Sequence, residues 1–508
     1  MTTYQEKQSW ERWTRWGQLG NPSSHWTIGL ANQWFGLAIV LFTLFHFVLA
    51  SRLPLSEDEI YFWSWSRRLS LSYFDHPPMV AYFIRLSTAV LGNGPGGIRF
   101  FAVVGSSLVL WLVGRLCGRK DVVGFLLFSP VFFFGAALMT PDIPLLIFWT
   151  LYMLWFIACN QKLSQWGDDP VTRVYQKMPV GYWYWILGGV LLGLGVLSKY
   201  TMVIATPCVL FALISKYRLK GWLRGFLVHL VVGSIVSSGI LIYNVRYGFA
   251  PFKFQLGRNV LAGAGDLKYN LLSFFGSQIL LVGLLPLVCL PAILFRWKEW
   301  PRDPKLHACV YFFLVPFLFF VAESFQTFLE ANWALIAYVG FWPLAQEILP
   351  HGVFRRVSTR SVLILFCLPL VATLLMAIHL VSPLKFIAPD RDRVRRISAQ
   401  NLTLKRAANE IRHFVPTPVV YGSSYAITSS LEHNGIPALQ LHPYNRPSEY
   451  TLRPTAPCGF SEVLLLVTLE SDPPSALDCF PHSSVLAKYP LLVRGADVGG
   501  FELRRYWR

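Results

Sequence analysis

Across 508 residues, 54% of the side chains are hydrophobic and only 14% are charged, and the mean hydropathy is +0.45; these values exclude an ordinary soluble globular domain and fit a polytopic membrane protein. The formal net charge of +18 does not point to nucleic acid, because the lysines and arginines lie in short clusters between apolar runs instead of forming one basic face. Their distribution is a topology signal.

In chain order, Trp10, Trp13 and Trp16 recur at helical spacing beside Arg12 and Arg15, which predicts an amphipathic helix on a membrane face within residues 1–29. The first apolar run starts near residue 30 with no small-residue cleavage motif after it, so it is expected to stay in the membrane. Apolar runs follow at about 30–50, 98–116, 121–138, 142–159, 183–198, 201–215, 224–244, 269–295, 308–322, 332–349 and 361–381. Each is near the length of a span or can extend into its flanks, which predicts about eleven transmembrane helices between residues 30 and 384. The clusters Arg115, Arg119, Lys120; Lys162, Arg173, Lys177; Lys216, Arg218, Lys220, Arg224; Arg296, Lys298, Arg302, Lys305; and Arg355, Arg356, Arg360 alternate with connections poor in basic residues. The positive-inside rule makes the basic side cytoplasmic, with the N-terminus inside and the C-terminal tail outside.

The polar stretch Ser56–Met79, SEDEIYFWSWSRRLSLSYFDHPPM, stands in an outward loop at 51–97. A tether between two spans needs only a few residues, so a loop this long and this rich in acids and aromatics reads as functional; the alternative is an interfacial loop whose Tyr61, Trp63 and Trp65 anchor in headgroups. Gly-Asn-Gly-Pro-Gly-Gly at 92–97 reads as a bend before the second span, not a nucleotide loop. The tail at 385–508 is polar and has a helical stretch near Ser398–Phe414 and β-type runs at Pro418–Tyr421 and Val463–Thr468, so a small periplasmic α/β domain is expected. Six of the eight cysteines lie in or beside apolar runs as small hydrophobes. Cys458 and Cys479 lie in the exported tail, where oxidation to a disulfide is open to them.

The unusual polar residues gather at the outward face: Asp58, Glu59, Tyr73, Asp75, His76, Asp142, Lys199, Arg246, Arg258, Glu330 and Asn332. Charge at a hydrocarbon boundary is costly unless it meets water, a partner or a ligand, so such a cluster reads as a site. Carboxylates can act as a base towards a hydroxyl, while Lys, His and Arg can hold a phosphate. Each also has a structural reading: Asp142 as first-turn partner of a helix dipole, Lys199 as a snorkelling span end, His76 as part of an extended pre-proline segment, and Glu330 as a solvated loop acid.

Four stretches in order, SEDEIYFWSWSRRLSLSYFDHPPM, MTPDIPLLIFW, GLGVLSKYT and LEANWALIAY, resemble bacterial glycosyltransferases of the GT-C fold, specifically the protein O-mannosyltransferase-like group and the related aminoarabinose transferase of lipid A. The resemblance runs from about residue 30 to 350 and is weaker in the tail. It implies an α-helical inner-membrane enzyme that moves a sugar, with inversion, from a polyprenyl-phosphate donor to an envelope lipid or polysaccharide of the lipid A or lipopolysaccharide type. Asp58 matches the first-loop acid that contacts the acceptor in such enzymes and would be the base, with Glu59 its neighbour and Asp142 the second acid at the top of the fourth span, the three forming the expected catalytic set. Asp75-His76-Pro77 matches a Glu-Lys-Pro motif, which puts His76 where a lysine holds the donor phosphate; a neutral imidazole would do this less well. Tyr73 matches an aromatic beside that motif, Lys199 a lysine on the lipid phosphate, and Arg258 would add a further cation. Glu330 and Asn332 fall where other members use a loop tyrosine, and Asp75 and Arg246 complete the candidate substrate contacts. The implied partners are the polyprenyl-phosphate-linked sugar, a lipid or glycan acceptor and membrane lipids, with no nucleic acid. No cofactor is required; two separated acids permit a divalent cation without showing one.

Other classes remain. The acceptor hydroxyl could belong to a protein serine or threonine. A transporter would also carry intramembrane charges, although here they collect at one face with no apparent inverted repeat. An anchoring subunit without chemistry would leave the outward acids without a purpose.

Overall fold

The computed structural model describes residues 24–117, 126–166, 180–261, 266–296, 299–348, 364–365, 367–414, 419–452, 456–469, 471–472 and 474–508. The tryptophan-rich segment of the predicted amphipathic helix lies outside them, as do Arg119, Lys120, Arg173, Lys177, Lys298, Arg355, Arg356 and Arg360. Residues 24–29 already belong to the first apolar helix, α1 (Ser24–Arg52).

The outward loop is itself helical. It holds α2 (Glu57–Arg67) and α3 (Met79–Leu91), and Gly92 at φ +78° then turns the chain into α4 (Pro95–Leu116). Glycine adopts that angle without the clash of a Cβ, and Pro95 in the first turn loses no hydrogen bond. The short α5 (Pro130–Gly135) precedes α6 (Asp142–Trp166), α7 (Tyr182–Val196), α8 (Ala205–Lys216) and α9 (Leu223–Arg246). Next come α10 (Ala250–Leu261), α11 (Leu267–Val282), α12 (Leu285–Phe295), α13 (Pro304–Ser324), α14 (Leu335–Ile348) and α15 (Cys367–Val381).

Among the described residues, five helices are long and apolar enough to cross a membrane: Trp34–Arg52, Pro95–Leu116, Asp142–Gln165, Leu223–Arg246 and Pro304–Ser324. The run read as one span at 269–295 is not straight, because α11 and α12 meet at 101°. Gly283 at φ +82° ends the first helix and Pro286 starts the second, which is the glycine stop and proline start of a deliberate break. Counted as one span, the pair makes six.

Gly189 and Gly193 bring α7 against α9. A Cβ at Gly189 would stand 2.6 Å from the His229 carbonyl oxygen, and one at Gly193 would stand 2.8 Å from that of Gly233. Without a hydrophobic drive between helices in lipid, such small-residue faces let backbones approach and gain dispersion contact. Gly193→Val should therefore destabilise the membrane part by about 1–3 kcal/mol, measured as a lower melting temperature in detergent.

The tail folds as a small α/β unit. It comprises α16 (Arg393–Ile411), β1 (Val419–Gly422), α17 (Tyr425–His433), β2 (Ala438–Gln440), β3 (Glu462–Thr468), β4 (His482–Val493) and β5 (Ala496–Trp507). The sheet order is β2-β1-β3-β5-β4, with β1 parallel to β2 and β3, and β5 antiparallel to β3 and β4. Leu464 and Leu466 of β3 pack under α16 and α17 with Leu404, Ile411 and Leu431, while Val463, Leu465 and Val467 face Leu477, Phe480 and Tyr506. Both faces being covered explains the unbroken apolar run VLLLV. Cys458 and Cys479 are joined as a disulfide at the edge of the second cluster. His379 at the end of α15 bonds Asp392, the N-cap of α16, at 2.9 Å, so the last apolar helix and the tail meet through a specific contact.

Candidate active site

Ser56-Glu57-Asp58-Glu59 starts α2 with a capping box: Ser56 Oγ accepts from Glu59 N, and Glu59 returns the bond to Ser56 N at 2.9 Å. That reciprocal bond turns Glu59 into the protein. There it receives Arg99 Nε and Nη2, each at 2.6 Å, and Met139 N at 2.9 Å. Both side chains are 0% exposed. The remaining Arg99 donors reach the carbonyls of Ala50, Leu53 and Pro54. Glu59, grouped from sequence with Asp58 and Asp142 as a catalytic acid, is instead a buried strut joining the end of α1, the start of α2 and the approach to α6. One residue earlier on the same turn, Asp58 is exposed and accepts from the Tyr425 hydroxyl at 3.0 Å.

Asp75 is buried at the double proline, and Tyr61 and Arg446 donate to its two oxygens at 2.9 and 2.7 Å. Burial raises the Asp75 pKa and the adjacent guanidinium pulls it back down. Burial, with Asp58 close by, pushes the Tyr425 phenol up to about 12, so it stays a donor to Asp58. Asp58, Tyr61, Phe62, Asp75, His76, Phe254, Gln255, Tyr425 and Arg446 line a cavity of about 390 Å³.

His76 and Gln255 also line a second cavity, of about 450 Å³, with Lys199, Tyr200, Thr201, Phe252, Leu256 and Trp333. Its walls are mostly apolar apart from the ammonium of Lys199. Lys199 precedes a tight helical turn at Tyr200–Ile204; its Nζ donates to Asp142 Oδ1 at 2.7 Å and lies 5.5 Å from the Trp333 ring centre. The other Asp142 oxygen accepts Asn332 Nδ2 at 2.8 Å. Asp142 begins α6 three residues after Met139, so the buried strut supports the platforms of both acids.

The structure thus brings Asp58, Asp75 and His76 together in one compartment, and His76, Lys199, Asp142 and Asn332 around the next. It separates Tyr73, whose ring stacks on Trp65 with centres 4.5 Å apart and whose hydroxyl lies 3.0 Å from the Trp65 carbonyl. Tyr73 and Arg246 border a different cavity of about 720 Å³ with Arg68, Glu432 and Glu449; burial holds the Tyr73 phenol well above its usual range. Tyr73 therefore stands apart from the lysine it was grouped with. Glu330 is exposed and reaches Trp333 through its backbone carbonyl. The Arg258 side chain lies outside the described residues, on α10. Among the described residues no set of three His, Cys, Asp or Glu side chains could hold a metal ion, and both Asp142 oxygens are engaged, so no step is assigned to one.

Sequence reasoning missed Arg446, Tyr425 and Gln255. The first two come from the tail, which docks on the outward loop: Glu449 accepts from Phe74 N at 2.9 Å and Tyr243 at 2.6 Å, and Glu449 N donates to the Tyr61 hydroxyl at 2.7 Å.

The family described as dolichyl-phosphate-mannose-protein mannosyltransferase matches residues 75–168. The lipid A galacturonosyltransferase RgtD of Rhizobium johnstonii is 22% identical over 447 residues, 84% of this chain and 86% of that protein. The undecaprenyl phosphate-alpha-4-amino-4-deoxy-L-arabinose arabinosyl transferase 2 of Proteus mirabilis is 23% identical over 343 residues, 62% of this chain and 59% of its own length. Among solved structures, ArnT from Cupriavidus metallidurans bound to undecaprenyl phosphate superposes with a TM-score of 0.62 at 14% identity, over 93% of this chain and 98% of that one. The resemblance carried by the four motifs thus holds in sequence and in fold: the chain is similar to bacterial lipid A glycosyltransferases and has the fold of ArnT.

Proposed function

We propose that the chain is an inverting glycosyltransferase that moves a sugar from a polyprenyl phosphate to an envelope lipid or polysaccharide at the outer face of the inner membrane. The observation that carries this reading is the pair of adjoining compartments: an apolar one with a lysine, sharing His76 and Gln255 with one that holds an exposed carboxylate. The polyprenyl chain lies along the helices, its phosphate meets Lys199, and the sugar reaches past His76 towards Asp58. Asp58 takes the proton of the acceptor hydroxyl, whose oxygen attacks the anomeric carbon from the face opposite the phosphate, inverting it. The leaving phosphodiester becomes a phosphomonoester, a stable anion that needs a cation more than a general acid. Asp142, itself held by Asn332, keeps the lysine in place. About eleven spans, with the N-terminus cytoplasmic and residues 385–508 periplasmic, put both compartments on the outward side.

Lys199→Met should raise the donor KM by about 10- to 100-fold, the usual worth of a hydrogen bond to a charged group, with a smaller change in kcat. An unchanged donor KM would remove Lys199 from the phosphate site. The overall reading is tested by mass spectrometry of envelope lipids and glycans from cells with and without the gene. Loss of one sugar from a lipid or polysaccharide names the acceptor. The matched family is named for transfer to protein, so loss of a sugar from envelope glycoproteins alone would select that acceptor instead. The two sugars named in the relatives differ in charge, one acidic and one carrying an amino group, and leave the sugar class to be decided by this chain's own residues.

A further inference from the structure

The cavity of about 720 Å³ is larger than either compartment of the proposed reaction and stands apart from both. Tyr450, on its wall, packs its ring 5.8 Å from that of Tyr61, which lines the Asp58 compartment, so an aromatic pair stands between the two spaces. One side of this cavity lies at membrane depth. The span α9 ends at Arg246. Leu71 packs against Gly239, where a Cβ would stand 3.4 Å from the leucine side chain, about two turns and 10 Å before that end. Leu69, on the cavity wall, and Leu71 are exposed, as are Leu241, Ile242 and Val245 of α9. An apolar surface left uncovered at that depth faces lipid.

The charges of this cavity are sorted by origin. Arg246, in the last turn of α9, and Arg68, at the end of α2, belong to the membrane part, whereas Glu432 and Glu449 come from the tail. Arg68 pairs with Glu432 at 2.9 Å and keeps 78% of its side chain exposed. Both acids are fixed in place: Glu432 also accepts from the Tyr450 hydroxyl, and Glu449 from Phe74 N and the Tyr243 hydroxyl. Trp65, on the same wall, is 2% exposed, and its indole N–H has no hydrogen-bond partner among the described residues. A buried donor without an acceptor costs stability, and an oxygen of a bound group would remove that cost. The membrane part thus offers an apolar strip and cations, and the tail offers anions. A purely anionic head group would meet the two carboxylates. One that carries a phosphate next to its acyl chains and an ammonium at its tip satisfies both signs in the matching order.

We propose that this cavity binds the head group of a membrane phospholipid with a phosphate and a primary ammonium, of the phosphatidylethanolamine type, its acyl chains lying over Leu69 and Leu71. The phosphate meets Arg246, Arg68 and the Trp65 N–H, and the ammonium meets Glu432 and Glu449. Such a lipid is not a reactant. It touches α2, α9 and the tail together and holds the sheet domain against the loop that carries Asp58. The inference goes beyond the transferase reading and does not depend on it.

Full-length protein stripped of lipid in detergent is melted with phosphatidylethanolamine, phosphatidylglycerol or phosphatidylcholine of the same acyl chains, and separately with soluble phosphoethanolamine. Phosphatidylethanolamine should raise the melting temperature by about 3–5 °C at saturation. Phosphatidylglycerol, which lacks the ammonium, and phosphatidylcholine, whose methylated nitrogen donates no hydrogen bond, should give about half that shift or less. In Arg246→Gln, an exposed position, the lipid-free melting temperature should hold while the shift disappears. In Glu432→Gln the advantage of the ethanolamine over the glycerol head group should be lost. Each shift is read against the same variant without lipid, so a weaker fold does not imitate the result. No shift, equal shifts with all three lipids, or an undiminished shift in Arg246→Gln overturns the inference. The full shift from soluble phosphoethanolamine alone overturns the lipid as its source, and a larger shift from added lipid A overturns it in favour of an acceptor site. The measurement reads no turnover, so the transferase reading stands or falls separately.

Discussion

Asp58→Asn should reach the membrane in normal amounts and transfer sugar about 10² to 10⁴ times more slowly, the loss expected when a general base is removed. The side chain is exposed and its one described hydrogen bond, from Tyr425, can be kept by the asparagine oxygen, so folding should be spared. The variant needs a donor and acceptor pair identified from the envelope, and initial rates measured at saturating donor. Near-normal turnover would remove Asp58 as the base. The other acids nearby are poorly placed to replace it: both oxygens of Asp75 and both of Asp142 are already engaged.

Glu59→Gln should behave in the opposite way, failing by loss of folded protein. Its carboxylate is the only acid described on Arg99, and both are 0% exposed. Removing one partner strands a buried charge, at a cost of about 3–5 kcal/mol, a large part of the total stability of a domain. The variant should accumulate poorly and melt at a lower temperature in detergent. Replacing both partners with leucine removes the stranded charge but leaves the Ser56 and Met139 N–H groups and the Ala50, Leu53 and Pro54 carbonyls without these partners, so it should recover only part of the loss. A Glu59→Gln protein that folds normally and loses turnover would return Glu59 to the chemistry.

These two neighbours show how far the chain could be read unaided. Three consecutive acids at Glu57-Asp58-Glu59 marked the loop as a place of chemistry, but which acid faces the cavity depends on a rotation of about 100° per residue along α2. A signal was present: Ser56-x-x-Glu59 is a capping-box pattern, and it assigns Glu59 to the backbone of the helix start. The direction of the Tyr73 side chain was hidden for a related reason. Proximity to Asp75 in sequence could not reveal that the chain turns between them and buries the phenol against Trp65.

Local pattern in the chain was enough for the membrane class, most of the helices that line the site, and the choice of Asp58, His76, Asp142 and Lys199 as candidates. Hydrophobic runs and charge clusters are local properties, and the price of charge at a hydrocarbon boundary makes each polar exception conspicuous. Packing between distant segments settled that the run at 269–295 is broken, that Glu59 is a strut, and that Lys199 and Asn332 share the Asp142 carboxylate. It alone brought in Arg446 and Tyr425, from Asn-Arg-Pro and Ser-Ser-Tyr segments of ordinary loop composition. Their proximity to Asp58 and Asp75 spans more than 360 positions. It arises from strand order in the tail and the docking of that sheet on α2, which no periodicity in a single segment encodes.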